Sequence, residues 1–435
     1  MEASTTAGAL PRRQVLAVVV GNGLEFYDFV TYAFFAAQIG RTFFPSETPG
    51  ASLLASLATF GAGFLTRPLG AFVIGRYADR AGRKPAMLLS FALIGVGVLG
   101  LPLTPSYAAI GIAAPAIAIA FRLLQGFALG GEVGPSTAFL MEAAPARRRG
   151  LYVSLQAMSA DIAVLIAGLV GVGLAGTLDA GALDAWGWRV ALLLGAVILP
   201  VGFVLRRTLL ETLPVPSERQ PESVRAGYVR FLWLGLILLG AATTTNYLLE
   251  YMTTYASVTL RMPASIAFGA TAVIGLSGVV CDPLGGWLSD RFGRKPIMIL
   301  PWLVLAASVF PAFWMLDRLR TGPALYASCA VLACMSTLSS GTIIVAITEA
   351  LPQRARAGGI ALIYALAISV FGGSAQFLVA WLIRATGNPL APAWYMFCGV
   401  VIGLVILFQL PETAPVKTAA RPASSDAPHT TTQEL

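Results

Sequence analysis

The chain has 435 residues, 57% of them apolar and 11% charged, with a mean hydropathy of +0.77 and a net charge of +8. A soluble domain carries about 25% charged residues, so this chain could not cover a water-facing surface, and a soluble globular enzyme is excluded. Twelve helices of about 20 to 25 residues need roughly 240 to 300 residues, which fits the length of an all-α polytopic membrane protein with short loops and two tails.

Residues 1–13 are too polar and too poor in basic residues for a secretory signal. The hydropathy pattern then predicts spans at 14–40, 53–78, 86–104, 108–141, 150–176 and 187–206. The stretch 207–229 is the longest polar interruption and reads as a cytoplasmic linker. Six more spans follow at 230–256, 264–289, 297–316, 323–349, 358–384 and 393–410. The predicted organisation is therefore an N-terminal six-helix half (1–206), the linker, a C-terminal six-helix half (230–411) and a disordered cytoplasmic tail (412–435). Of 29 Lys and Arg, 21 lie in the tails and even-numbered loops or at the adjoining helix ends, and six lie in the opposite loops. The excess of positive charge predicts that both termini are cytoplasmic. The four cysteines (Cys281, Cys329, Cys334, Cys398) fall singly in apolar runs, so neither a disulfide framework nor a metal site is expected. His429, the one histidine, lies in the polar tail, outside any intramembrane proton path.

The two halves repeat. Gly75-x-x-x-Asp79-Arg80-x-Gly82-Arg83-Lys84-Pro85 after span 2 returns as Gly286-x-x-x-Asp290-Arg291-x-Gly293-Arg294-Lys295-Pro296 after span 8. Glu142-x-x-Pro145-x-Arg147-x-Arg149 after span 4 returns as Glu349-x-x-Pro352-x-Arg354-x-Arg356 after span 10. A duplicated six-helix unit implies a transporter with its site between the halves, near the midplane. The acids at these helix ends sit beside clustered cations, where pairing can latch one arrangement of neighbouring helices and release it in another. Asp79, Arg80, Arg83, Asp290, Arg291 and Arg294 are therefore candidate gating residues. The plainer reading is that these basic loops only set topology.

With these two loops the chain resembles the major facilitator superfamily along nearly its whole length. Gly21-Asn-Gly-Leu-Glu25-Phe-Tyr-Asp28-Phe29, Arg67-Pro68-Leu69-Gly70 and Arg122-Leu-Leu-Gln125-Gly126 resemble the metabolite–proton symporters. Trp186-Gly-Trp-Arg189, Leu205-Arg-Arg-Thr-Leu-Leu-Glu211-Thr212 and Thr348-Glu-Ala-Leu-Pro352 are most like the citrate–proton symporters. The resemblance implies two pseudo-symmetric six-helix halves, alternating access, a gating role for the Asp–Arg loops and the inner membrane of a bacterium.

Charges at membrane depth cost a few kcal/mol each and normally face a cavity or a partner. The spans hold Glu25, Asp28, Arg67, Arg122, Glu132, Asp161, Glu250 and Asp282. On span 1, Asn22, Glu25, Phe29 and Tyr32 share one stripe, with Asp28 a turn from Glu25 at its edge. Arginine suits an anion site because its planar fork binds a carboxylate bidentately and stays charged. Two acids one turn apart in a poor solvent favour a proton on at least one of them. Asn22, Arg67, Arg122, Gln125, Gln156 and Tyr247 are thus candidate substrate contacts, and Glu25, Asp28 and Glu132 candidate proton carriers. The alternative is that Glu25–Arg67 and Glu132–Arg122 are static pairs joining helices. Asp161, Glu250 and Asp282 match none of the family words, and extra acids in the C-terminal half would suit a cationic or zwitterionic solute or a second proton.

These residues predict a monomeric proton symporter importing a carboxylate metabolite, citrate or a related tricarboxylate, with no cofactor, no metal and no nucleic-acid partner. A G-x-x-x-x-G-K-[ST] loop does not occur, so ATP drive is not expected. A dicarboxylate or a betaine/proline-type symporter and a non-transporting solute sensor are the alternatives.

Overall fold

The computed structural model describes residues 12–48, 50–81, 83–130, 137, 140–141, 144–207, 226–351 and 356–418. The described chain is helical throughout. The N-terminal half holds α1 (Arg12–Phe34, continued by Ala36–Phe43), α2 (Ala51–Leu65, continued by Arg67–Ala81), α3 (Arg83–Leu103), α4 (Ala113–Leu129), α5 (Arg149–Thr177) and α6 (Trp188–Arg207). The C-terminal half holds α7 (Ala226–Thr254, ending in a wide turn, Tyr255–Thr259), α8 (Ala264–Phe292), α9 (Arg294–Leu319) and α10 (Gly322–Ala350). It closes with α11 (Arg356–Ala367, then Ile368–Gly372 and Gly373–Thr386) and α12 (Ala391–Gln409).

Helix is the form this composition dictates, because in hydrocarbon each backbone N–H and C=O must be paired inside its own segment. Among the described residues eight helices are long and apolar enough to cross a membrane, and Leu88–Leu103 and Ala113–Leu129 are shorter apolar helices. Phe72, Leu169, Trp287, Leu300, Trp394 and Phe408 all face outward, the arrangement expected where the surroundings are lipid.

Three features refine the expected organisation. Span 2 crosses as one helix over Ala51–Tyr77 but is locally irregular at Thr66, just before Arg67 and Pro68. Pro68 has no N–H to give to the carbonyl of Phe64, four residues earlier. That carbonyl instead accepts the Ser369 hydroxyl of α11 at 2.9 Å, so a local backbone defect becomes a contact between halves. Span 11 is likewise irregular, at the widened turn Ile368–Gly372 that carries Ser369. Thirdly, the tail expected to be disordered from 412 begins docked. Glu412 accepts the backbone N–H groups of Arg294 (2.8 Å) and Lys295 (3.2 Å), and Pro415–Thr418 forms a short helix. The N-terminus of α9 has donors to satisfy, and a carboxylate is the natural partner.

The halves meet along two seams of small residues. On α5 and α8, Gly150 lies against Gly286, Gly168 against Ala272, Gly171 against the Phe268 ring and Gly275 against Leu165. On α2 and α11, Gly61 abuts the carbonyl of Gly373. Removing side chains from both faces lets backbones approach closely, which is how helices bind in lipid where no hydrophobic drive exists between them.

Candidate functional site

A cavity of about 120 Å³ lies between the halves. Asn22, Thr137, Gln156 and Asp161 line it from the N-terminal half, and Asn246, Ser336, Thr337, Ser340 and Tyr364 from the other. Asn22 donates to the Gln156 carbonyl (3.1 Å) and to Ser159 Oγ (2.9 Å), while Thr137 donates to Gln156 Oε1 (2.9 Å). Of the expected substrate contacts, Asn22 and Gln156 reach this cavity.

Arg67, Arg122, Gln125 and Asp28 line a separate, smaller recess inside the N-terminal half, together with Phe29 and Gly63. Gln125 is the pivot: its Nε2 donates to Asp28 Oδ2 at 2.9 Å and its Oε1 accepts from Arg122 Nη1 at 2.7 Å. Arg122 lies 3.9 Å from the same Asp28 oxygen. All three are buried, yet Asp28 Oδ1 and Arg122 Nε have no hydrogen-bond partner among the described residues. The α4 face carrying Arg122 and Gln125 one turn apart makes this grouping possible. Among the described residues, Arg122 is thus partnered by Asp28 and Gln125. Glu132 itself, and the side chains of Glu25, Asp79 and Arg83, lie outside the described residues.

Arg67 differs from Arg122. It makes no ion pair among the described residues, and its Nε is unpartnered although the residue is buried. Its guanidinium lies over the rings of Phe64 (4.3 Å) and Phe29 (5.1 Å), a cation–π seat that favours the charged form. Glu250, Tyr247 and Tyr364 of the opposite half lie within electrostatic range. A buried guanidinium with no ion-pair partner among the described residues is suited to meet an anion.

Tyr247 does not line the large cavity. It packs in an aromatic plug with Phe29, Phe60 and Phe64, at ring-centroid distances of 6.2, 6.4 and 5.6 Å. Phe35 and Phe268 extend the plug further from the termini, at 4.7 Å. Tyr251 and Tyr255 on the same helix are buried packing residues, Tyr255 donating to the Pro389 carbonyl at 2.9 Å.

At the end of the bundle that bears the termini, Asp290 of α8 reaches across to α5. Its carboxylate accepts the N–H groups of Gly150 and Leu151, each at 2.9 Å. It therefore caps the N-terminus of a helix in the opposite half. Arg294 holds Asp290 at 2.7 Å and Glu349 at 3.2 Å, and Thr413 donates to Glu349 at 2.8 Å. Of the candidate gating residues, Asp290 and Arg294 are brought together here. Arg291 is not: it turns outward onto the Trp287 ring at 5.6 Å. Arg80 is exposed at the end of α2. Glu349, visible in sequence only as the partner of Glu142 in the repeat, is a missed member of this cluster. Tyr364 and Thr137 were missed at the cavity, where a lone hydroxyl in an apolar span gives little signal.

The chain matches the Major Facilitator Superfamily profile over residues 18–373. It is 36% identical over 400 residues to the "Citrate-proton symporter" of Salmonella typhi, covering 90% of this chain and 92% of that protein. To the "Alpha-ketoglutarate permease" of Escherichia coli (strain K12) it is 34% identical over 417 residues, covering 92% and 94%. To the "Proline/betaine transporter" of the same strain it is 30% identical over 443 residues, covering 95% and 86%. Its fold is that of the xylose transporter XylE from E. coli, with a TM-score of 0.74 at 17% identity over 92% of this chain and 98% of that one. The chain belongs to the Major Facilitator Superfamily, and is a twelve-helix, multi-pass membrane transporter and not an enzyme.

Proposed function

We propose that this protein is a proton symporter that imports a carboxylate metabolite, citrate or a related tricarboxylate, by alternating access across a bacterial inner membrane. The observation that carries the reading is the contrast between its two buried arginines. Both lie over aromatic rings, but Arg122 is paired with Asp28 and Gln125, whereas Arg67 makes no ion pair among the described residues. A proton on Asp28 weakens its hold on Arg122, leaving two guanidiniums to take up substrate carboxylates. A carboxylate bound there favours the proton on Asp28 in turn, and this reciprocity is the coupling. Likeness to two citrate–proton symporters, each at 36% identity, supports the substrate class.

The aromatic plug closes the cavity on the side away from the termini, which under the positive-inside reading is the outside. Asp290, holding the start of α5, then serves as a latch at the cytoplasmic end. By the internal repeat in the sequence, Asp79, Arg80 and Arg83 are the candidates for the same task in the other half. The test is counterflow in proteoliposomes with a panel of tri-, di- and monocarboxylates and betaine. Exchange of citrate or another tricarboxylate supports the reading, and its absence with a purified, folded carrier overturns it.

A second reading has its own observation. Asp161 lines the central cavity, and Glu250 stands within electrostatic range of it. Acids in that place suit a zwitterion such as betaine or proline, and the 30% identity to a proline/betaine transporter runs the same way. Counterflow of betaine without citrate would select it.

A further inference from the structure

Glu250 of α7 is an acid for which the arginine recess has no use. It is 5% exposed, inside the seventh span. Its Oε1 accepts the side-chain amide of Asn246, one turn earlier, at 3.4 Å, and its Oε2 has no hydrogen-bond partner among the described residues. It makes no ion pair there either. An ionised carboxylate stays buried only when it is paired or well hydrogen-bonded, and one long hydrogen bond does not supply that. A neutral carboxyl needs less, and its C=O can still accept the Asn246 amide.

The groups facing Glu250 do not reverse this balance. Arg67 from α2 and Asp161 from α5 lie within electrostatic range and act in opposite senses. Tyr247 of α7 and Tyr364 of α11 are also within range, as neutral phenols.

Asn246 joins this acid to the cavity. Its side chain is exposed where Glu250 is buried, and it lines the central cavity beside Ser336, Thr337 and Tyr364. An amide nitrogen carries two N–H groups, so the nitrogen that reaches Glu250 can also meet a ligand.

We propose that Glu250 is a proton-binding site of the C-terminal half, separate from Asp28, and that Asn246 ties its proton to the occupant of the cavity. A substrate carboxylate in the cavity draws the Asn246 amide towards itself and takes from Glu250 its one donor. The ionised form is then left with none, so the proton stays on Glu250 while substrate is bound. Departure of the substrate returns the amide, the carboxyl O–H ionises, and its proton passes to water in the cavity. This coupling rests on the symport reading above. The proton itself can be detected without any transport.

The experiment is infrared difference spectroscopy of the full-length carrier in lipid, read in the C=O stretching region of protonated carboxyl groups. Wild type at neutral pH should show a band that is lost in Glu250→Gln and kept in Asp28→Asn. Asn246→Ala keeps the acid but removes its donor, so the band should remain and move to higher frequency. Identical spectra for wild type and Glu250→Gln overturn the proposal and leave Glu250 an ionised counter-charge for Arg67. A band unmoved by Asn246→Ala overturns the link to the cavity. In liposomes, Glu250→Gln should move one fewer proton per citrate than wild type, and an unchanged ratio overturns the coupling. Failure of citrate and every other carboxylate in wild-type counterflow would sink the symport reading and leave the infrared band to decide the proton site.

Discussion

At the scale of single residues, the two arginines make separable demands. Arg67 already keeps its charge by stacking on Phe64 and Phe29, so Arg67→Lys preserves charge but loses the planar stack and the fork. Substrate affinity should fall about tenfold or more, the equivalent of one charge-assisted hydrogen bond of about 1.5 kcal/mol, with membrane insertion unchanged. Near-native binding by the purified variant would remove Arg67 from the site. Asp28→Asn mimics the protonated carrier. It should still exchange substrate in counterflow, because neither half of the exchange needs proton release, and it should fail to accumulate substrate against a gradient. Full gradient-driven uptake by Asp28→Asn would move the proton to another acid. Glu25→Gln makes the parallel test for the neighbour one turn earlier. The residue types and their depth were legible in sequence, since a charge inside an apolar span stands out. Their partners were not: the Arg122–Gln125–Asp28 triangle joins residues 97 positions apart through α1–α4 packing.

At the scale of elements, the proposed gate lies at helix ends. Asp290 caps α5 with two backbone hydrogen bonds and is itself held by Arg294. Asp290→Ala removes both caps and an ion-pair partner of a fully buried arginine. Capping alone is worth about 1 kcal/mol, so the arrangement closed at the terminal end should lose at least about fivefold in population. Turnover should slow while equilibrium substrate binding stays within about twofold. Unchanged turnover in Asp290→Ala would reduce the loop to a topology signal. Conserved spacing between the two loops made Asp290 and Arg294 readable as a pair. The sequence could not separate them from Arg291, because Arg291 ends α8 and Arg294 opens α9 beyond the turn at Gly293, and how that turn packs on α5 decides which cation faces inward. The irregularity at Thr66 belongs to this scale too. Pro68 announces that one carbonyl is freed, but that Ser369 of α11 accepts the task depends on how the halves meet.

At the scale of the whole molecule, the halves touch through glycine-lined seams and through a plug of rings, and the cavity lies between them. If proton flow drives uptake, a protonophore should abolish accumulation in liposomes energised by a pH gradient while leaving counterflow intact. Accumulation that survives the protonophore would rule out proton drive. The sequence by itself determined the solvent, the number of spans and the duplication. Hydropathy and spacing are local, additive properties, and a bilayer permits few other structures for an apolar chain. It also marked which polar residues sit at membrane depth. Tertiary structure alone decided that the expected contacts divide between two cavities, that Tyr247 is part of a plug, and that the Asp161 carboxyl lies against Gly278 of α8. Those outcomes depend on the register and rotation of helices from different halves. In lipid these are set by where small residues let backbones approach, a pairwise property of two surfaces that no single span contains.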